Sequence, residues 1–410
     1  MADEPIVVVG GGLAAGRLAQ EYRAAEGEAL VTLVSSDDAP PYHRPPLTKG
    51  FLRGEAERDD TLIRPAEEWE DDLVELRLGS TVAELDVDAA ELVTDGGERI
   101  PYGTLVLATG ARPRVLPIPG ADRVGVHTYR TLADADAVRT ASAEAHKTLV
   151  IGGSFIGAEV AASLRLRGLD VTLVELGERL MPALACTELS VELEQLYRDE
   201  GIELRLETEL EELVGNGRLL GGARTSTGET IECYLAVMGV GVEPNVELAE
   251  AAGATIDDGI VVDERFCSSL GGIYAIGDVA KFPEPVSGRL RRIEHWSNAN
   301  AQGGHLGRQL AGKRARYDEV PVFFTQLFDR KLQVLGDPAA ADACVLRGSL
   351  ADGRLIGFHL DGSKLVGAVV HGEAADVLAE LEQLLRDGAT IDDQARLTDE
   401  HLRPAAAFGV

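Results

Sequence analysis

Basic residues are scarce in this chain: 39 Lys and Arg stand against 69 Asp and Glu, a formal charge of −30. Such a deficit argues against general binding to nucleic acid or to an anionic membrane surface. Acidic runs such as Glu67-Glu68-Trp69-Glu70-Asp71-Asp72 read as solvated surface and not as a site. Cysteine is scarce too. Cys186, Cys233, Cys267 and Cys344 are scattered without CxxC or CxxxxC spacing, which indicates neither a disulfide framework nor a zinc site, and no metal is expected. A reducing, cytoplasmic setting fits. The chain opens Met1-Ala2-Asp3-Glu4-Pro5 and enters an apolar strand at once, lacking the basic and long apolar regions of a signal peptide. No run reaches the roughly 18 uninterrupted apolar residues of a membrane span, and no low-complexity segment is evident.

What is present is a globular composition, 45% apolar and 26% charged, with 46 glycines that imply many tight turns and close backbone approaches. A chain of 410 residues is expected to hold two or three domains. Ile6-Val7-Val8-Val9 stops at Gly10-Gly11-Gly12 before a helix predicted over about 13–26 and a strand over 30–34, a βαβ opening. The plan recurs about 140 residues later: Thr148-Leu149-Val150-Ile151 leads into Gly152-Gly153-Ser154-Phe155-Ile156-Gly157, a helix through Arg167, and a strand over 170–174 ending at Glu175. Two such openings suggest two nucleotide cofactors, one each, which a single Rossmann domain would not require. Further buried strands closing on glycine turns are predicted over 102–110, 235–241 and 272–278, with a linker over 112–120. The last ~90 residues carry short alternating runs over 331–335 and 365–370 and a helix over about 374–386, an α+β C-terminal domain.

Gly10-x-Gly12-x-x-Ala15 lies directly between strand and helix, with Leu13 and Ala14 opening the helix. There backbone N–H groups can meet a pyrophosphate, and small residues are needed because a β-carbon would block the approach. In the second copy, Gly152-x-Ser154-x-x-Gly157, a serine stands where backbone and phosphate come nearest. Either its hydroxyl donates to phosphate or the turn has lost its ligand. Glu175, 18 residues after Gly157, is placed to accept both ribose hydroxyls and repel a 2′-phosphate, favouring NADH over NADPH. At the corresponding place in the first copy the ribose partner is Ser36 or Asp37.

Five further blocks accompany these turns: Tyr42-His43-Arg44-Pro45-Pro46-Leu47-Thr48-Lys49, Leu107-Ala108-Thr109-Gly110-Ala111-Arg112-Pro113, Tyr129-Arg130-Thr131, Tyr274-Ala275-Ile276-Gly277-Asp278-Val279-Ala280 and Ile293-Glu294-His295-Trp296-Ser297-Asn298-Ala299. In their order and spacing, the chain to about residue 320 resembles the FAD-dependent ferredoxin reductases of bacterial oxygenase systems. The resemblance implies an α/β fold with two Rossmann-like dinucleotide-binding domains in the glutathione-reductase-like arrangement, plus an α+β C-terminal domain. Its expected boundaries are a discontinuous FAD domain at 1–112 and 241–317, an NADH domain at 113–240 and a C-terminal domain at 318–410.

The same resemblance places Arg44, Pro45 and Lys49 along the flavin, with Thr48 replacing the usual Ser. It puts Ala108, Thr109 and Gly110 over the cofactor, with Arg130 and the backbone at Val82 touching it. Gly277 and Asp278 fall at the ribityl chain, and Glu294, His295, Trp296 and Ala299 in the last flavin-contacting block. On the nicotinamide side it puts Phe155, Ile156 and Glu159 at the helix start facing the flavin, and Gly239-Val240-Gly241 at the pocket edge. Lys49 and Glu159 are the expected catalytic residues, pairing across the domain interface. A cation near flavin N5 stabilises developing negative charge, and a carboxylate near the carboxamide orients the ring. The plainer alternative is a surface lysine and an ordinary helix residue.

The implied activity is hydride transfer from NADH to FAD N5, followed by single electrons to a [2Fe–2S] ferredoxin that serves a cytochrome P450 or a Rieske oxygenase, in a monomer or homodimer. Thiol turnover is not expected, because the first helix has no Cys and His43 stands where related peroxidases and coenzyme A disulfide reductases carry one. Alternatives are a rubredoxin or quinone reductase, or a signalling flavoprotein resembling apoptosis-inducing factor. Between Arg289 and Lys331 nine basic residues face four acidic ones, which reads either as a docking patch for an acidic ferredoxin or as mixed solvated surface. The family's usual Pro-Trp-Phe-Trp-Ser-Asp-Gln-Tyr is here Pro321-Val322-Phe323-Phe324-Thr325-Gln326-Leu327-Phe328. That segment is shaped for an atypical ferredoxin, for another acceptor, or for core packing.

Overall fold

The computed structural model describes residues 4–410, so the first three residues of the opening segment lie outside the described residues. The chain packs as two compact units. The first holds the chain up to Arg44, then Arg58–Arg112 and Glu243–Glu319, and the second holds Pro45–Glu57, Pro113–Val242 and Val320–Val410. The first unit opens with β1 (Ile6–Val9), α1 (Leu13–Ala24), β2 (Val31–Val34), β3 (Val74–Arg77) and β4 (Thr104–Leu107). The second supplies β5 (Val126–Thr128), β6 (Lys147–Ile151), α2 (Phe155–Leu166), β7 (Asp170–Val174), α3 (Thr187–Asp199), β8 (Glu203–Arg205) and β9 (Leu235–Met238). The chain returns to the first unit for β10 (Ile273–Ala275) and α4 (Trp296–Leu310). It ends in the second with β11 (Val322–Leu327), β12 (Arg330–Gly336), β13 (Ala343–Ser349), β14 (Arg354–Asp361), β15 (Lys364–His371) and α5 (Ala375–Arg386).

The sheet of the first unit runs β10-β4-β1-β2-β3, all parallel. A parallel sheet covered on both faces needs strands apolar along their whole length, and Ile6-Val7-Val8-Val9 and Val31-Thr32-Leu33-Val34 are buried at every position. Helix α1 buries Leu13, Ala14, Ala15, Leu18, Ala19 and Tyr22. It ends at Ala24, before Glu26 turns left-handed at φ 67°. Helix α4 crosses α1 at near backbone contact. A Cβ on Gly303 would lie 2.3 Å from the Ala14 carbonyl oxygen, and one on Gly307 2.4 Å from that of Leu18.

The second unit repeats the plan with β8-β7-β6-β9-β5, again all parallel, and its βαβ opening again starts from the central strand. Its C-terminal sheet is different in kind: β11-β12-β15-β14-β13, antiparallel throughout. Helix α5 buries Leu381, Leu384 and Leu385, the i, i+3, i+4 spacing of one helix face. The tail after it is held by Arg347, which donates to the Leu397 and Leu402 carbonyls and stacks 5.0 Å from the Phe358 ring centroid. Among the described residues no helix is long and apolar enough to cross a membrane.

The α1–α4 contact is a strict test of this packing. Gly303→Ala should destabilise the first unit by about 1–3 kcal/mol, the usual cost of overpacking, read as a lower urea midpoint. An unchanged midpoint would mean the helices separate without cost.

Candidate functional site

In the first unit, β1 delivers the chain into the glycine turn with Gly10 at φ 125°, where a Cβ would sit 2.2 Å from the Ala108 carbonyl oxygen. Gly12 is the N-cap of α1, extended at φ −82° and ψ −173°, and supplies no side-chain cap to the amides of the first turn. A Cβ on Gly12 would meet only the Arg44 guanidinium, at 3.9 Å. The result is an open, amide-lined helix start edged by a cation, a cradle suited to a pyrophosphate. Gly277 closes it from the side, since a Cβ there would stand 3.1 Å from the Ala14 Cβ and 4.0 Å from that of Ala299. Asp278 is buried in the short turn that follows. Of the two ribose candidates, Ser36 is exposed, and Asp37 accepts from the Tyr42 hydroxyl at 2.9 Å and the Ala39 amide at 3.1 Å. The Thr109 hydroxyl donates to the Asn245 carbonyl. Val82 pairs with Thr94 in an antiparallel meander.

His43 and Trp296 also meet in this unit: the indole Nε1–H donates to His43 Nδ1 at 3.1 Å. The imidazole must therefore be unprotonated at Nδ1. Burial, and next the Arg17 charge, hold its pKa below the ordinary histidine value, which agrees. His295 is depressed further, to about 4, by the packing around its ring, with the Asp278 carboxylate opposing.

In the second unit, Gly152 stands at φ 103°, and a Cβ there would lie 2.4 Å from the Gly239 carbonyl oxygen. On Gly157 it would lie 1.9 Å from the Gly152 carbonyl oxygen, so helix α2 can start here only with glycine at that place. Ser154 is the N-cap of α2, and its hydroxyl makes no capping bond. The Glu175 carboxylate accepts from the Gly153 amide at 2.6 Å and the Gly177 amide at 2.7 Å, which fixes it beside the turn. Ile156 is exposed at the helix start, and Phe155 packs edge-on against Phe323 with centroids 5.0 Å apart. Gly241, at φ 93°, accepts from the Arg114 amide and ends the Gly239-Val240-Gly241 turn. Arg130 precedes a helix over 132–141, its amide donating to Asp134.

Lys49 and Glu159 meet here. Nζ lies 2.6 Å from Oε2, and both residues are buried. They close within the second unit, because Pro45–Glu57 packs there, instead of between the two units. The ammonium has three donors, and three acceptors surround it: Glu159 Oε2, the Thr48 hydroxyl at 3.1 Å and the Pro45 carbonyl at 3.3 Å. Glu159 is equally engaged. Its Oε2 also accepts from the Thr48 hydroxyl at 2.6 Å, while Oε1 accepts from the Thr325 hydroxyl at 2.7 Å and the Gln326 amide at 3.3 Å. A buried ion pair is tolerable only when its remaining lone pairs and protons are satisfied in this way.

These features have counterparts in known proteins. Residues 4–303 match the pyridine nucleotide-disulphide oxidoreductase family and residues 322–405 the reductase C-terminal family. The chain is 36% identical over 402 residues to rhodocoxin reductase of Rhodococcus erythropolis, covering 98% of this chain and 94% of that protein. It superposes on the ferredoxin reductase for the CYP199A2 system from Rhodopseudomonas palustris with a TM-score of 0.93 at 33% identity, covering 99% and 100% of the two chains. With the reductase of the covalent putidaredoxin reductase–putidaredoxin complex the TM-score is 0.94 at 29% identity, covering 100% and 98%. This chain belongs to the pyridine nucleotide-disulphide oxidoreductases, in their ferredoxin reductase branch. Members of this branch hold FAD and use NADH, and the two glycine turns are where the reductase would bind them.

Two other parts of the reductase depart from a simple sequence reading. Within the first unit, Arg291 pairs with Glu284, Arg292 with Asp258 and Glu294, Arg308 with Glu21 and Lys313 with Glu26. Part of the positive charge between Arg289 and Lys331 therefore meets acids outside that stretch, of which Glu21, Glu26 and Asp258 are distant in sequence. The second is a cysteine contact. Cys186 and Cys344, 158 positions apart, lie side by side in the second unit. No local spacing could have signalled it.

His295 sets a pH dependence. An imidazole in the unfolded chain titrates near 6.5, whereas the folded reductase resists the proton down to about 4. This contribution to stability is full above about pH 6.5 and is lost as pH falls toward 4. His295→Gln should flatten the decline measured by denaturant titration across that window. Parallel wild-type and variant curves would assign the slope elsewhere.

Proposed function

We propose that this chain is an NADH-dependent ferredoxin reductase that passes electrons singly to a [2Fe–2S] ferredoxin serving a cytochrome P450 or a Rieske oxygenase. The observation that carries this reading is the Glu159 junction. There the domain that matches the reductase C-terminal family places Thr325 and Gln326 on the carboxylate that holds Lys49. The absence of thiol chemistry in the first unit supports it. The one cysteine there is Cys267, and His43, at the position of a peroxidatic thiol, is engaged by Trp296.

Bound FAD supplies the conversion between a two-electron donor and a one-electron acceptor. The protein's contribution is placement and charge. Gly10, Gly12 and the first amides of α1 would hold the FAD pyrophosphate, with the Arg44 guanidinium beside them. Lys49 would stabilise negative charge developing beside N5, and Glu159, its acceptor sites already filled, would act through the ammonium it fixes. Glu175, already anchored by two amides, has lone pairs left for the ribose hydroxyls and would repel a 2′-phosphate. Ser154, with its hydroxyl uncommitted to the helix cap, is suited to donate to the NADH phosphate.

Two measurements test this reading. Glu159→Gln keeps the shape but removes the charge that holds Lys49, and should slow flavin reduction by NADH about 10²-fold, the scale of losing one preorganised electrostatic contact. Unchanged stopped-flow traces would remove Glu159 from the site. For the acceptor, NADH-driven reduction of a [2Fe–2S] ferredoxin should be fast, with rubredoxin and quinones slow. Equal or faster turnover with quinones would overturn the ferredoxin assignment.

A further inference from the structure

Cys186 ends the turn that follows β7 and forms the N-cap of α3. Cys344 is the second residue of β13, where the sheet register sets it opposite His359. The His359 ring reaches across to the Leu184 carbonyl at 2.7 Å, two residues before Cys186, and so holds the turn against the strand. Gly357 leaves room for the second sulfur: a Cβ there would lie 3.4 Å from Cys344 Sγ. Both thiols are free, and they face each other inside the second unit.

Their surroundings differ. Cys186 is buried at the N-cap of α3, where the Leu189 and Glu188 amides favour a thiolate, while burial and the Glu188 carboxylate, 3.9 Å from its Sγ, oppose one. The neighbouring thiol and those amides hold Cys186 below the ordinary thiol pKa, while Cys344 is pushed up by Cys186 and by burial.

We propose that Cys186 and Cys344 form a reversible disulfide site, with hydrogen peroxide as oxidant. The Cys186 thiolate, its proton taken by Glu188 or solvent, attacks one peroxide oxygen. The O–O bond breaks, and the departing hydroxide takes up that proton to leave as water. The sulfur is oxidised to a sulfenic acid and the peroxide is reduced. Cys344, losing its own proton, then attacks the Cys186 sulfur. The S–O bond breaks, hydroxide leaves with that proton as a second water, and the S–S bond forms. Two thiols and one peroxide thus give one disulfide and two waters. The cross-link ties β13 of the C-terminal sheet to the turn whose Met181 amide bonds the Gly153 carbonyl of the second glycine turn.

The test uses the FAD-loaded full chain treated with hydrogen peroxide, then denatured and alkylated. Titratable thiols should fall from four to two, and a tryptic peptide pair joined through Cys186 and Cys344 should appear and vanish with dithiothreitol. Cys233, held near 12 by burial, should remain a thiol. In Cys344→Ala, the sulfenic acid on Cys186 should accumulate and react with dimedone, whereas Cys267→Ala should leave the cross-link intact. Recovery of Cys186 and Cys344 as separate thiols, or oxidation of either without the joined peptide, would overturn the proposal, and the peroxide-treated wild-type map settles it even if a variant fails to fold.

Discussion

A single buried carboxylate organises much of the second unit. Glu159 on α2 accepts from the Lys49 ammonium, the Thr48 and Thr325 hydroxyls and the Gln326 amide. Removing either charge would leave the other desolvated and alone, which is the costly state of a buried ion pair. The carboxylate therefore binds three stretches of chain that are far apart in sequence: residues 45–57, helix α2 and strand β11. None of the three is held at this point by hydrophobic contact alone. The requirement that each donor find its acceptor fixes their register, and apolar packing is less exacting about geometry. The C-terminal domain is thus part of the charged site and not an appendage to it.

Around that point the molecule uses one backbone plan twice. Both parallel sheets start their βαβ unit from the central strand, and both glycine turns place a positive-φ glycine against a carbonyl oxygen at 2.2 Å and 2.4 Å for a notional Cβ. The copies differ where the chemistry of the ligand differs. At the first, the carboxylate after β2 is engaged by Tyr42 and Ala39, and a guanidinium edges the turn. At the second, Glu175 is clamped by two amides and a serine, Ser154, stands at the helix N-cap where the first copy has Gly12. One geometry thus serves two electrostatic purposes.

The parts that were legible in sequence are those governed by local rules. Gly10, Gly152 and Gly157 could be read because only glycine fits a backbone that close to another carbonyl, and the β-branched runs before them because a buried parallel strand must be apolar throughout. Helix ends shifted by one or two residues, as at Glu26, where local backbone conformation decided. The antiparallel meanders over 82–101 and 210–232 were obscure, since several of their strands are only three to five residues long and their pairing slips register at bulges. The Lys49–Glu159 contact was foreseen from the resemblance and not from spacing. The bonds from Thr325 and Gln326, and the contact of Cys186 with Cys344, depend on how the C-terminal sheet docks, which no local pattern encodes.

Charge placement constrains the acceptor surface in the same non-local way. The basic residues after Arg289 looked like a surplus because their neighbours in sequence are few in acid, yet Glu21, Glu26 and Asp258 come from distant segments, and Glu284 from just upstream, to meet them. The exposed cations of that stretch in the first unit are few: Arg289, Arg308, Lys313, Arg314 and Arg316. In a chain of −30, long-range steering of an acidic protein would be repulsive, so attraction must come from a few cations at short range, within about a Debye length of 8–10 Å. Such an interface would gain its selectivity from position more than from net charge, and would be far less forgiving of a misplaced arginine than a broadly basic surface.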